Sequence, residues 1–129
     1  MKHILILFII FFVYFSLSFQ KASETNIEVR INEISSNNKK SIKDSYGNYS
    51  SWIELFNSGK DSIDISGYGL SNEEYIPLKW RFPKDTIINP GQYLIIFISD
   101  KKSKDKEFHT NFELNKDGDF LFFSNSNEN

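Results

Sequence analysis

Two carboxylates sit in runs that read as strands: Glu33 in Ile31-Asn32-Glu33-Ile34, and Glu54 in Trp52-Ile53-Glu54-Leu55-Phe56. Brought together across a sheet, two such groups are the raw material of an acid/base pair. Alternation supplies a simpler reading. Successive side chains of a strand point to opposite faces, so each Glu reads as a solvent-facing or fold-pinning polar position. Asp117-Gly118-Asp119 resembles a fragment of a calcium loop, but the other oxygen ligands of such a loop are absent and a hairpin turn accounts for it. His3 belongs to the N-terminal segment, which leaves His109 alone. A single His builds neither a His-based metal cluster nor a Ser/His/Asp triad, and His109-Thr110-Asn111 reads as a hydrogen-bonding turn. The chain has no Cys, which removes thiolate metal sites, a Cys nucleophile and disulfides. We therefore expect no catalytic residue, no metal and no cofactor.

Binding is the chemistry that remains. Trp52 and Trp80 have the rings for a carbohydrate-stacking platform, yet in alternating strands they are expected to pack in the core or at its rim. Residues 35–51 are rich in Ser, Asn, Lys and Gly, with Asp44, Tyr46 and Tyr49 among them. That composition suits an adaptable contact loop, and the length exceeds what a mere connection needs. These three residues are the candidate contact set. The formal net charge of the whole chain is −2. Such a balance lacks the basic footprint of nucleic-acid binding, so nucleic acid is not an expected partner.

The elements that position these residues are short strands. Met1-Lys2-His3, the apolar run Ile4 to Phe15, and the small residues Ser16 and Ser18 make residues 1–18 a signal-peptide helix. The rival is an uncleaved short anchor over residues 4–19, which would be the chain's one tie to a membrane; a comfortable span needs about 20 apolar residues. Residues 19–26 read as a polar linker. Strands follow around Ile27 to Ile34, Trp52 to Phe56, Ile63 to Ile65, Lys79 to Phe82, Gln92 to Ser99, Phe108 to Leu114 and Phe120 to Phe123, with Tyr68 to Leu70 a bent short strand or a bulge and Thr86 to Ile88 leading into the next turn. The Gln92–Ser99 run is apolar enough to be buried on both faces. Asn57-Ser58-Gly59 and Asn89-Pro90-Gly91 are turns between them. Seven or eight short strands without helical periodicity predict an all-β sandwich. The single domain spans residues 27–123, and residues 124–129 form a polar tail. Export without disulfides, with abundant Lys, Asn and Ile, leans towards a bacterial source.

The ordered phrases Ile31-Asn32-Glu33-Ile34, Asp44, Trp52-Ile53-Glu54-Leu55-Phe56-Asn57, Ile63 to Ser71 with Gly67, Lys79-Trp80-Arg81-Phe82-Pro83, Pro90-Gly91-Gln92-Tyr93-Leu94, His109 to Phe112 and Gly118-Asp119 resemble the lamin-tail domain of bacterial exported proteins. Asn32, Glu33, Trp52, Glu54, Asn57, Gly67, Trp80, Pro83 and Gly91 carry the signature. The resemblance implies an immunoglobulin-like β-sandwich. It also implies a noncatalytic, secreted or extracytoplasmic module that binds a protein or an envelope component. Family members normally continue past the position of Phe123. Either the last strand of the sandwich is missing here, or the chain is the front of a longer frame. In the second case it would be the N-terminal accessory domain of an exported hydrolase, nuclease or spore-coat-type kinase.

Overall fold

Val, Ile and Phe at alternate positions give strands with one apolar face, and the computed structural model of residues 28–126 builds nine of them. Among these residues there is no helix. The segments expected as a signal-peptide helix (residues 1–18) and a linker (19–26), together with Ile27 and residues 127–129, lie outside the described residues. The strands are β1 (Val29–Ser35), β2 (Ser51–Asn57), β3 (Ile63–Asp64), β4 (Gly69–Ser71), β5 (Trp80–Arg81), β6 (Ile87–Ile88), β7 (Tyr93–Ile98), β8 (Phe108–His109) and β9 (Phe122–Ser124). They form a four-stranded sheet β1-β2-β7-β8, a pair β3-β6 and a three-stranded sheet β5-β4-β9. All pairs are antiparallel except β7 with β8. One core joins the three sheets: Val29, Ile53, Leu55, Ile96 and Ile98 from the large sheet meet Leu70, Ile88 and Phe82. This is the all-β, immunoglobulin-like sandwich expected.

Phe82 sits at the centre, with its ring 4.7 Å from Trp80, 6.0 Å from Phe108 and 6.2 Å from Phe123. Edge-to-face rings add to the roughly 2–3 kcal/mol that burial of such a side chain contributes. Trp80 is half-buried against this core, and Trp52 is buried on the other side of the large sheet. Neither presents a free ring face as a stacking platform would. The turns are held by the signature residues. Asn57 is fully buried; its amide donates to the Asp61 and Ile88 carbonyls, and its carbonyl accepts from Gly59 N–H. The Asn57 backbone also binds the β6–β7 turn, where Gly91 takes φ +71° and donates to the Asn57 carbonyl. Gly67, at φ +77°, donates to the Phe82 carbonyl just before Pro83.

Two expectations need correction, and one strand residue is more open than its partner. The run Phe108–Leu114 is a strand only at Phe108–His109. Thr110 then bends the chain, its hydroxyl bonding the Phe112 carbonyl, while Phe112 and Leu114 still drop into the core and mimic a strand's alternation. The β7 strand is buried on both faces only over Ile96–Ile98; Tyr93 is 53% exposed. Ile34 lies opposite Ile53 but remains 48% exposed, because β1 is the sheet edge and its register slips between Ile31 and Glu33.

Candidate functional site

The core-facing residues of the large sheet fix what its other face carries. Along β2 and β7, Ile53, Leu55, Leu94, Ile96 and Ile98 point inward. Trp52, Glu54, Phe56, Tyr93, Ile95 and Phe97 therefore point outward. Register aligns them in rungs: Ser35–Trp52–Phe97–His109 at one end, and Arg30–Phe56–Tyr93 at the other. At the first end Trp52 and Phe97 are buried although no sheet lies over them. The cover is the connection 36–50, whose Tyr46 ring meets His109 edge-to-face at 5.5 Å, while the sheet neighbour Phe97 stacks on His109 at 5.4 Å.

Asp44 and Asn38 hold that loop in shape. The Asp44 carboxylate accepts from Tyr46 N–H at 3.0 Å, Asn48 N–H at 2.8 Å, the Ser50 hydroxyl at 2.7 Å and Lys101 Nζ at 3.0 Å. Burial alone pushes an Asp up, but the hydrogen bonds from Asn48, Ser50 and Lys101 outweigh it and draw Asp44 from 3.8 down to about 2. Asn38 is buried too; its amide bonds the carbonyls of Ile42 and Ser50, and its oxygen accepts Ser41 N–H. Of the candidate contact set, Asp44 is thus inside the loop as its organiser. Tyr46 and Tyr49 stand outside, 44% and 42% exposed.

The structure gathers Ser99, His109 and Glu107, which the sequence spreads over eleven positions. Ser99 Oγ lies 2.8 Å from His109 Nδ1, and Glu107 Oε2 lies 3.4 Å from Nε2. In acyl transfer the Ser must be open to substrate and the acid must orient the imidazole. Here Ser99 and His109 are buried, and the Glu107 carboxylate is taken by Ser45 N–H at 2.6 Å. Burial would raise Glu107, but donation from Ser45 and His109 lowers it. The cluster ties loop 36–50 to loop 100–107. The second loop turns tightly at Asp105-Lys106, both at positive φ, with Glu107 N–H donating to Lys104 O. A non-Gly pair in that region costs backbone energy, so strain is concentrated beside the loop.

Glu33 and Glu54 stay apart from this end, whereas Asp117 and Asp119 belong to the turn beside it. Glu33 and Glu54 are register partners, but on an open sheet surface, where Asn32 Nδ2 donates to Glu54 at 2.8 Å. Asp119 caps its own turn, accepting from Asn115 N–H and from the amide of Asn72. Among the described residues no group of three His, Asp or Glu is placed to hold a metal.

Between loop 36–50, the ends of β2 and β7, and residues 113–116 lies a half-open cavity of about 290 Å³. Buried Ile98 and Leu114 form its floor; Tyr49, Ser50, Lys101, Glu113 and Lys116 stand at its rim. Its volume is at the small end of ligand pockets, roughly 300–1,000 Å³. The sequence hid both the cavity and its charge. Segments 36–50, 99–107 and 113–119 carry Lys39, Lys40, Lys43, Lys101, Lys102, Lys104, Lys106 and Lys116 against Asp44, Asp100, Asp105, Glu107, Glu113, Asp117 and Asp119, the last bonded to Asn115 of the same turn. That end is therefore +1 in a chain of −2, which leaves −3 on the remainder.

The comparisons with known proteins agree with this architecture. The family model described as Lamin Tail Domain matches residues 22–129. No curated protein and no solved structure matches the chain.

Proposed function

Since this chain belongs to the Lamin Tail Domain family, generally a noncatalytic immunoglobulin-like module, we propose that it is an exported interaction domain that binds a protein or envelope component through the 36–50 loop end. The observation that carries this reading is the construction of that loop. It covers one end of a sheet, is fixed by the bonds of Asp44 and Asn38, and presents Tyr46 and Tyr49 beside a cavity. A preorganised surface loses little conformational freedom on binding, and Tyr supplies broad contact area at low entropy cost. Export is supported by the apolar run Ile4 to Phe15.

The test is cosedimentation of the full-length chain with isolated bacterial envelopes, together with a reporter fused after Asn129 that reads delivery across the membrane. The reporter should be extracytoplasmic. Binding should fall several-fold in Tyr46→Ser/Tyr49→Ser and stay unchanged in Tyr93→Ser, on the far end of the sheet. A cytoplasmic reporter, or equal binding by both variants, would overturn the reading.

A further inference from the structure

Resting on that reading, we infer that the loop end receives an acidic polypeptide segment. The fold collects eight lysines from three stretches of sequence into one end of net +1, while the rest of the molecule is −3. The cations are arranged around the exposed rings. Lys43 Nζ lies 5.1 Å from the Tyr49 ring centre, and Lys101 and Lys104 lie 5.3 and 5.2 Å from that of Tyr46. Lys101 is partly neutralised by Asp44, whereas Lys116 at the cavity rim makes no ion pair or hydrogen bond among the described residues. An incoming carboxylate therefore finds ammonium donors next to aromatic surface, over a small apolar floor of Ile98 and Leu114.

The same observations favour a peptide over a phosphate polymer. All the cations here are Lys, without the Arg fork that matches phosphate in two-pronged fashion. Asp100, Asp105, Glu113 and Asp117 are interspersed, which penalises a densely charged polyanion. A chain of spaced carboxylates avoids that repulsion, and the Glu113 carboxylate at the rim can accept one of its backbone N–H groups.

Fluorescence anisotropy tests this with three probes added to the full-length chain: a labelled acetylated peptide alternating Glu and Gly, its Gln counterpart, and inorganic polyphosphate. The Glu peptide should bind about tenfold more tightly than the Gln peptide, and weaken as salt is raised. Lys43→Gln/Lys116→Gln should weaken it several-fold with an unchanged melting temperature, while Arg30→Gln on the open sheet surface should not. Equal binding of the Glu and Gln peptides, tighter binding of polyphosphate, or wild-type affinity in the double Lys variant would overturn the inference. If the Glu peptide fails while envelope binding still depends on Tyr46 and Tyr49, the acidic partner is wrong and the interaction-module reading stands.

Discussion

The outer surface of the large sheet is one face built two ways. At one end Trp52, Phe97 and His109 lie under the 36–50 loop, at 7%, 4% and 1% exposure. At the other, Arg30, Phe56 and Tyr93 carry no second layer and cover each other: Phe56 stacks on Tyr93 at 4.5 Å, and the Arg30 guanidinium lies 5.2 Å from the Phe56 ring. The same strands supply both ends, so the difference lies in the loop. A large apolar rung needs a cover to leave water, and the chain invests a long connection to provide it. A rung of cation and stacked rings manages as surface. The β1 edge beside it is blunted by its bulge and by Arg30, Asn32 and Glu33, which discourage pairing with another strand.

Substitutions can break this contrast. Trp52→Ala should cost the most, about 3–5 kcal/mol by chemical denaturation, as for other buried aromatic truncations. Trp52→Phe should cost far less, because the buried Trp52 Nε1 has no hydrogen-bond acceptor to lose. A Trp52→Phe as damaging as Trp52→Ala would show that the indole is held by something other than packing. Asp44→Ala comes next, at about 2 kcal/mol near neutral pH, the equivalent of its depressed titration. The sign follows from a folded value below the ordinary one. The contribution is complete above about pH 4 and is lost as pH falls towards 2, so wild type and Asp44→Ala should converge in urea melts across that window. Convergence in the alkaline direction instead would rule out Asp44 as the cause. Tyr93→Ala should be smallest, below about 1 kcal/mol, since its ring is half in water.

The sequence made the strands legible because their signal is local. Alternating Ile, Leu and Phe bounded by Asn-Ser-Gly or Asn-Pro-Gly located the centres of β1, β2, β3, β5 and β7 directly, while β4 read as a bent strand or a bulge and β6 only as the lead into a turn. It misled at Phe108–Leu114, where Phe112 and Leu114 keep the period of a strand after Thr110 has turned the backbone. The site was harder. Tyr46 and Tyr49 stood out by composition, but Asp44 looked like one of them and is the internal anchor. Its partner Lys101 is 57 residues away, and Glu107 meets Ser45 across 62. No local pattern reports contacts at that separation. The lysine cluster was invisible for the same reason, since its members come from three stretches that only the fold brings to one end.

Residues 36–50 form a fixed surface and not a slack connection. Amide hydrogen exchange at Tyr46, Gly47 and Asn48 tests it most directly, because all three donate to Asp44, to its side chain or its carbonyl. Exchange at these amides should be well slower than in an unfolded chain, and the slowing should be lost in Asp44→Ala while Leu55 in the core keeps its protection. Exchange at unfolded-chain rates in the wild-type protein would contradict it.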